Sequence, residues 1–285
     1  MHLRVPLLAF TLAATAFATP TDDAVALLKE GKLADGRAAL EKITVAEPEN
    51  ARACFFLAQV IVRGGDRAKV IDAALPWLEK ATKLAPNDAE ILAAYGRVSM
   101  EFAGLHTSLS AASKGREALE AALKLNPADL DAREVLYQYY TQAPWPIGSS
   151  SKAAVQLDEI LKRDPRRGAL LSINAKIRAK DYAAAFKLCE ELLAKDANDW
   201  LALYHYGRAA SIAGQNMEKG LAVLKKYLEL SPTAPGAPRP ANIWGRIGNI
   251  REKQGDIAAA REAYQTALKF EPNSKSAATA LAALK

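Results

Sequence analysis

The side chains best suited to chemistry are few and scattered. Three histidines occur, His2, His106 and His205, and none has a cysteine or acid at the spacing of a metal-ligand set. No metal and no cofactor is therefore expected. Neither G-x-S-x-G nor H-E-x-x-H is present, so the local signatures of a serine nucleophile and of a zinc protease are missing. Gly148-Ser149-Ser150-Ser151-Lys152 has the composition of a phosphate-cradling loop, but neither its spacing nor a preceding strand. A serine N-cap opening a helix fits that run better. The carboxylates fall on solvated helix surfaces, and the sequence predicts no enzyme. Recognition is left as the chemistry, carried by arginine, glutamine and asparagine donors and by an aromatic group at Tyr137, Tyr139, Tyr140 and Trp145.

The elements that must position these groups are marked by a repeat. A small residue, a larger one four places on and a helix stop eight further recur seven times. The copies are Gly36-Leu40-Pro48, Ala74-Leu78-Pro86, Gly115-Leu119-Pro127, Ala153-Leu157-Pro165, Ala185-Cys189-Ala197, Gly220-Leu224-Pro232 and Ala260-Tyr264-Pro272. The small residue lets a second helix approach the first, and the residue four later lies on the same face one turn on. Proline, lacking an N–H, ends the helix. Asn50, Asp88, Asp129 and Asp199 follow several stops and are predicted N-caps. The first copy is expected to lose most of its first helix to the segment before it.

The last copy carries Trp244, Ile247-Gly248, Gly255-Asp256, Ala260, Tyr264 and Pro272. Leu203 with Tyr206-Gly207 and Leu92 with Tyr95-Gly96 repeat that motif. It closely resembles the tetratricopeptide repeat, a helix-turn-helix unit of about 34 residues, from which Ile247, Arg251 and Tyr264 depart. The resemblance covers nearly the whole chain. It implies an all-α, right-handed solenoid of about seven repeats over residues 19–285, with the alanine-rich stretch from Ser276 to Lys285 as a capping helix. It also implies that first helices line a concave groove for a protein or peptide partner.

Carried over by position, that groove presents Arg52, Gln59, Arg63, Glu90, Arg97, Glu134, Gln138, Asn174, Arg178, Tyr204, Arg208, Asn249 and Lys253. Some family members grip a terminal carboxylate with lysine, asparagine and arginine. Asn174 and Arg246 fill two such places here, but Leu170 and Asn242 stand where lysines are needed, so that clamp is not expected. Additions near Gly64 to Val70, Gly104 to Lys114 and Ala143 to Lys152 are predicted to form clustered loops, placing His106 in a loop. Tyr137 replaces the glycine of other copies and is expected to push its helices apart. Tyr139 and Trp145 beside it form an alternative ledge for a carbohydrate partner, or belong to a repacked core.

Arg4, the apolar run Val5 to Leu12 and Ala16-Phe17-Ala18 predict a signal peptide over 1–18, hence a periplasmic or secreted chain with no membrane span once cleaved. Half the residues are hydrophobic and a quarter charged. Residues 19–285 hold 37 basic and 32 acidic side chains, interspersed along the chain, so no nucleic-acid partner is expected. Cys54 and Cys189 stand on the apolar faces of different repeats, as buried thiols and not a disulfide framework. The basic cluster Lys162, Arg163, Arg166 and Arg167 flanks a helix end, where cations complement the dipole. Three prolines stiffen the connection from Thr233 to Pro240. Together these features predict an exported adaptor in envelope assembly or complex stabilisation.

Overall fold

The computed structural model describes residues 19–144 and 147–284; the expected signal peptide and Trp145 lie outside them. Among the described residues there are helices and no strands. They fall into two compact units that divide between Gly148 and Ser149. The N-terminal unit holds α1 (Pro20–Lys29), α2 (Leu33–Ala46), α3 (Ala51–Val62), α4 (Arg67–Leu84), α5 (Ala89–His106), α6 (Leu109–Leu125) and α7 (Leu130–Gln142). The C-terminal unit holds α8 (Ser150–Arg163), α9 (Pro165–Arg178), α10 (Tyr182–Lys195), α11 (Trp200–Ala213), α12 (Met217–Leu230), α13 (Pro240–Lys253), α14 (Ile257–Phe270) and the closing helix α15 (Lys275–Ala283). Within each unit, consecutive helices pack as hairpins and each hairpin packs on the next.

Six of the seven copies fall on the second helix of a pair, and the fourth falls on α8, the first helix of the C-terminal unit. Leu40, Leu78, Leu119, Cys189, Leu224 and Tyr264 are fully buried, whereas Leu157 of α8 keeps partial exposure. Each such leucine removed from water contributes roughly 2 kcal/mol. The small residue acts by close approach. A methyl group added to Gly115 of α6 would stand 3.0 Å from the Gly96 carbonyl oxygen of α5. Asn50, Asp88, Asp129 and Asp199 each accept hydrogen bonds from the first-turn amides of the helix they open, as expected. Ser149 caps α8 through the amide of Lys152.

Three expectations need correction. The first hairpin keeps a ten-residue first helix, α1, opened by a reciprocal capping box between Thr19 and Asp22. The additions in the second and third hairpins lengthen helices more than loops. α4, α5 and α6 run to 18, 18 and 17 residues, about one turn beyond the 14 of most others. His106 is accordingly the last residue of α5, its ring 2.7 Å from Asp72 Oδ1 of α4. The addition in the fourth repeat falls between the end of α7 at Gln142 and the start of α8 at Ser150. Asp164 alone joins α8 to α9, its amide donating to Ile160 and its carboxylate accepting from Arg167 N at 2.9 Å.

Candidate functional site

In the N-terminal unit, Gln59 of α3, Arg97 of α5 and Gln138 of α7 occupy matching places on successive first helices, and Arg63 follows α3 directly. All four line one cleft of about 640 Å³. Its floor is apolar, from Ala58, Val62, Ala94, Val98 and Val135, and its rim carries the polar groups. Arg97 lies 3.7 Å from Asp129 Oδ2, and an ion pair between Arg67 and Glu101 closes one side. Arg52 stands outside this cleft, stacked over Phe56 at 5.1 Å and 4.0 Å from Asp22. A second cleft of about 380 Å³ is lined by Tyr139 with Met100, Leu109, Val135 and Ile147. Tyr139 meets Tyr140 edge-on at 5.4 Å, and the buried Tyr140 hydroxyl donates to Glu120. Burial and that acceptor push the Tyr140 phenol well above its ordinary value. Tyr137 is buried in the same unit.

In the C-terminal unit, Asn174 of α9 and Arg208 of α11 are joined directly, Arg208 donating to Asn174 Oδ1 at 2.7 Å. Arg246 of α13 donates to the Tyr204 hydroxyl at 3.0 Å and lies over that ring at 5.2 Å. A weaker contact links it to Ser211 Oγ at 3.4 Å. Arg178 is exposed at the end of α9. His205, on the turn that carries Tyr204, is 7% exposed, and its Nδ1 has no hydrogen-bond partner. Burial, then the charges of Arg208 and Arg246, hold this imidazole down to about 4, so it is neutral at physiological pH. Asn249 accepts from the Tyr264 hydroxyl at 2.7 Å and lines a polar cleft of about 350 Å³ with Asn242 and Arg246.

Arg246 and His205 are contacts that the sequence reading undervalued. The signal was available in part, because partners recur about one repeat apart. Arg67–Glu101 and Asn174–Arg208 are 34 residues apart, and Arg166–Asp199 are 33 apart. The basic cluster at the end of α8 is largely paired. Lys162 and Arg163 reach Glu159, and Arg166 grips Asp199. Both thiols are free and buried. Among the described residues no group of His, Cys, Asp and Glu could hold a metal ion, and no helix is long and apolar enough to cross a membrane.

Paired helices stacked within each unit, with polar side chains aligned on successive first helices, define a helical-repeat scaffold. Tetratricopeptide-repeat patterns match residues 21–89, 170–235 and 241–274, more than half of the chain, and the chain belongs to the tetratricopeptide-repeat family. A chloroplastic tetratricopeptide repeat domain-containing protein of Arabidopsis thaliana, PYG7, is 26% identical over 160 residues. That match takes in 55% of this chain and 44% of PYG7, so the chain spans under half the length of that relative. Among solved structures, a tetratricopeptide repeat protein of Parabacteroides merdae aligns over 92% of this chain and 96% of its own, at 16% identity and a TM-score of 0.65. A human IFIT1 dimer with m7Gppp-AAAA aligns over 93% of this chain and 61% of its own, at 20% identity and a TM-score of 0.60. These two share the fold.

Proposed function

We propose that the chain is an exported scaffold that holds a protein or peptide partner against the first helices of its repeats, serving envelope assembly or the stabilisation of a complex. Repeats of this family are protein-interaction scaffolds. The observation that carries the reading is the 640 Å³ cleft of the N-terminal unit. An apolar floor takes up a side chain, while Gln59, Arg63, Arg97 and Gln138 stand at the rim to meet main-chain carbonyls and acidic groups. Export rests on Arg4, the apolar run after it and Ala16-Phe17-Ala18.

A photoreactive residue at position 97, with a matched probe at the exposed Lys42 of α2, tests the binding face in intact cells. A discrete polypeptide captured at 97 and not at 42 supports it; equal capture at both sinks it. Recovery of a chain starting at Thr19 from the periplasmic or culture fraction tests export. The carbohydrate reading now rests on Tyr139, the ledge residue that lies among those described. Its cleft is lined mainly by apolar side chains, which suits a hydrophobic side chain of a partner better than the hydroxyls of a sugar.

A further inference from the structure

Three other arginines of this chain each come with an acid. Arg166 has Asp199, Arg116 has Glu120, and Arg67 has Glu101. Arg208 and Arg246, which are half-buried, and Arg178, which is exposed, have none. They stand on α9, α11 and α13, and α11 packs against both of the others. Among the described residues none of the three lies within ion-pair distance of a carboxylate. The partners they do have are neutral: Asn174 Oδ1 for Arg208, and Tyr204 Oη and Ser211 Oγ for Arg246. Arg246 Nε is buried with no partner at all, as is His205 Nδ1 beside Tyr204.

Withdrawing cations from water next to other cations is costly unless an anion joins them. The Arg208 guanidinium registers that cost: burial first, then Arg246 and Arg178, pull it below its ordinary value. Neutral acceptors on α9 and α11 hold Arg208 and Arg246 in place without quenching their charge, and Arg178 stands exposed on α9. Such a set is preorganised for oxyanions, which accept the paired N–H groups of a guanidinium.

We infer that Arg178, Arg208 and Arg246 form an anion-binding strip for spaced carboxylates of a polypeptide partner. The strip lies in the C-terminal unit and is separate from the cleft behind the proposed function. Its order favours a chain over a single compact ion. Packed helices lie roughly 8–10 Å apart, and an extended polypeptide advances about 3.3 Å per residue. Carboxylates about three residues apart would then meet successive arginines. The arrangement also differs from the two-lysine clamp, since Leu170 and Asn242 occupy the lysine places and the charge comes from Arg178 and Arg208.

The test is fluorescence anisotropy on the intact purified protein at low ionic strength. The probes are a labelled extended peptide with glutamate at every third position, its glutamine counterpart, and a labelled short RNA. The glutamate peptide is expected to bind, the glutamine peptide to bind at least tenfold more weakly, and added salt to weaken the first selectively. Arg208→Gln and Arg246→Gln are each expected to cost about tenfold or more. Arg178→Gln, at an exposed position, carries the test if a half-buried variant fails to fold. Arg37→Gln, in the N-terminal unit, is expected to leave binding unchanged. Equal binding of both peptides, or glutamate-peptide binding unaffected by every strip variant, would overturn the inference. So would tighter, strip-dependent binding of the RNA, or displacement of the peptide by inorganic phosphate at equal concentration, since either would assign the strip to phosphate.

Discussion

Asp199 accepts both guanidinium hydrogen bonds of Arg166, at 2.7 and 2.8 Å, while its Oδ1 also caps the first turn of α11. One carboxylate thus ties the start of α9 to the start of α11. Burial pushes its pKa up, but Arg166 and the amides of Ala202 and Leu201 outweigh that and hold it below the ordinary 3.8. Its stabilising contribution is therefore present above about pH 4 and is lost as pH falls through the lowered value. Asp199→Ala is expected to cost roughly 2 kcal/mol, the half-exposed Arg166 limiting the loss. Urea unfolding at pH 7 measures it, and the gap between wild type and variant should narrow as pH falls below the ordinary carboxylate range.

Gly207 and Gly245 should answer oppositely to the same change. A methyl group on Gly207 would stand 2.3 Å from Leu224 Cγ, a branch point that cannot swing away. On Gly245 it would meet nothing within 4 Å. Gly207→Ala is expected to destabilise by about 1–3 kcal/mol. Gly245→Ala, within α13, is expected to be neutral or stabilising by up to about 1 kcal/mol. Thermal melts of the two variants in parallel decide this.

His205 should make the protein acid-sensitive in a window well above that of Asp199. Its neutral form is favoured in the fold, by burial first and then by Arg208 and Arg246, against a smaller opposing pull from Asp199. An unfolded chain takes up the proton as pH drops below 6.5, whereas the folded chain resists to about 4. Stability should fall between those values, by on the order of 2 kcal/mol. His205→Gln should flatten that stretch of the stability–pH curve, and an unchanged slope would remove His205 as its cause.

The two cysteines should behave as core side chains. Burial pushes the Cys189 thiol up to about 12 and raises that of Cys54 as well. Neither is expected to react with a thiol reagent at pH 8 in the folded protein, and both should titrate in denaturant. Fast reaction of either thiol under native conditions would contradict the packing of α3 or α10.

The hairpin pattern was legible because it depends on local rules repeated seven times. Gly36, Ala74 and Gly220 mark close approach, and aspartate or asparagine after a stop marks a new helix. Helix length was not. The added residues from Gly104 to Lys114 predict a loop, yet only Thr107 and Ser108 leave helical geometry. Thr107 turns into the left-handed region and Ser108 caps α6. Pro76 shows the same limit, since it lies inside α4 and does not end it. Of the candidate binding residues, Gln59, Arg97 and Gln138 could be aligned by period alone. The isolation of Arg208 from acids depends on what every neighbouring helix presents, and no single repeat records that. Nor did the sequence mark Gly148 as the place where contacts divide into two units.

The joint at Asp164 leaves no slack. Because one residue ends α8 and begins α9, a tag or spacer spliced there would have to unwind a helix to be housed. The segment between Ser231 and Arg239 is different. It is pinned by the Tyr227 hydroxyl on Pro238 O at 2.7 Å, yet open at Gly236, where the chain turns through positive φ and no atom lies within 4 Å of the place a Cβ would take. For anyone who fits this protein with a reporter or splits it for complementation, Gly236 is the permissive place and Asp164 the forbidden one.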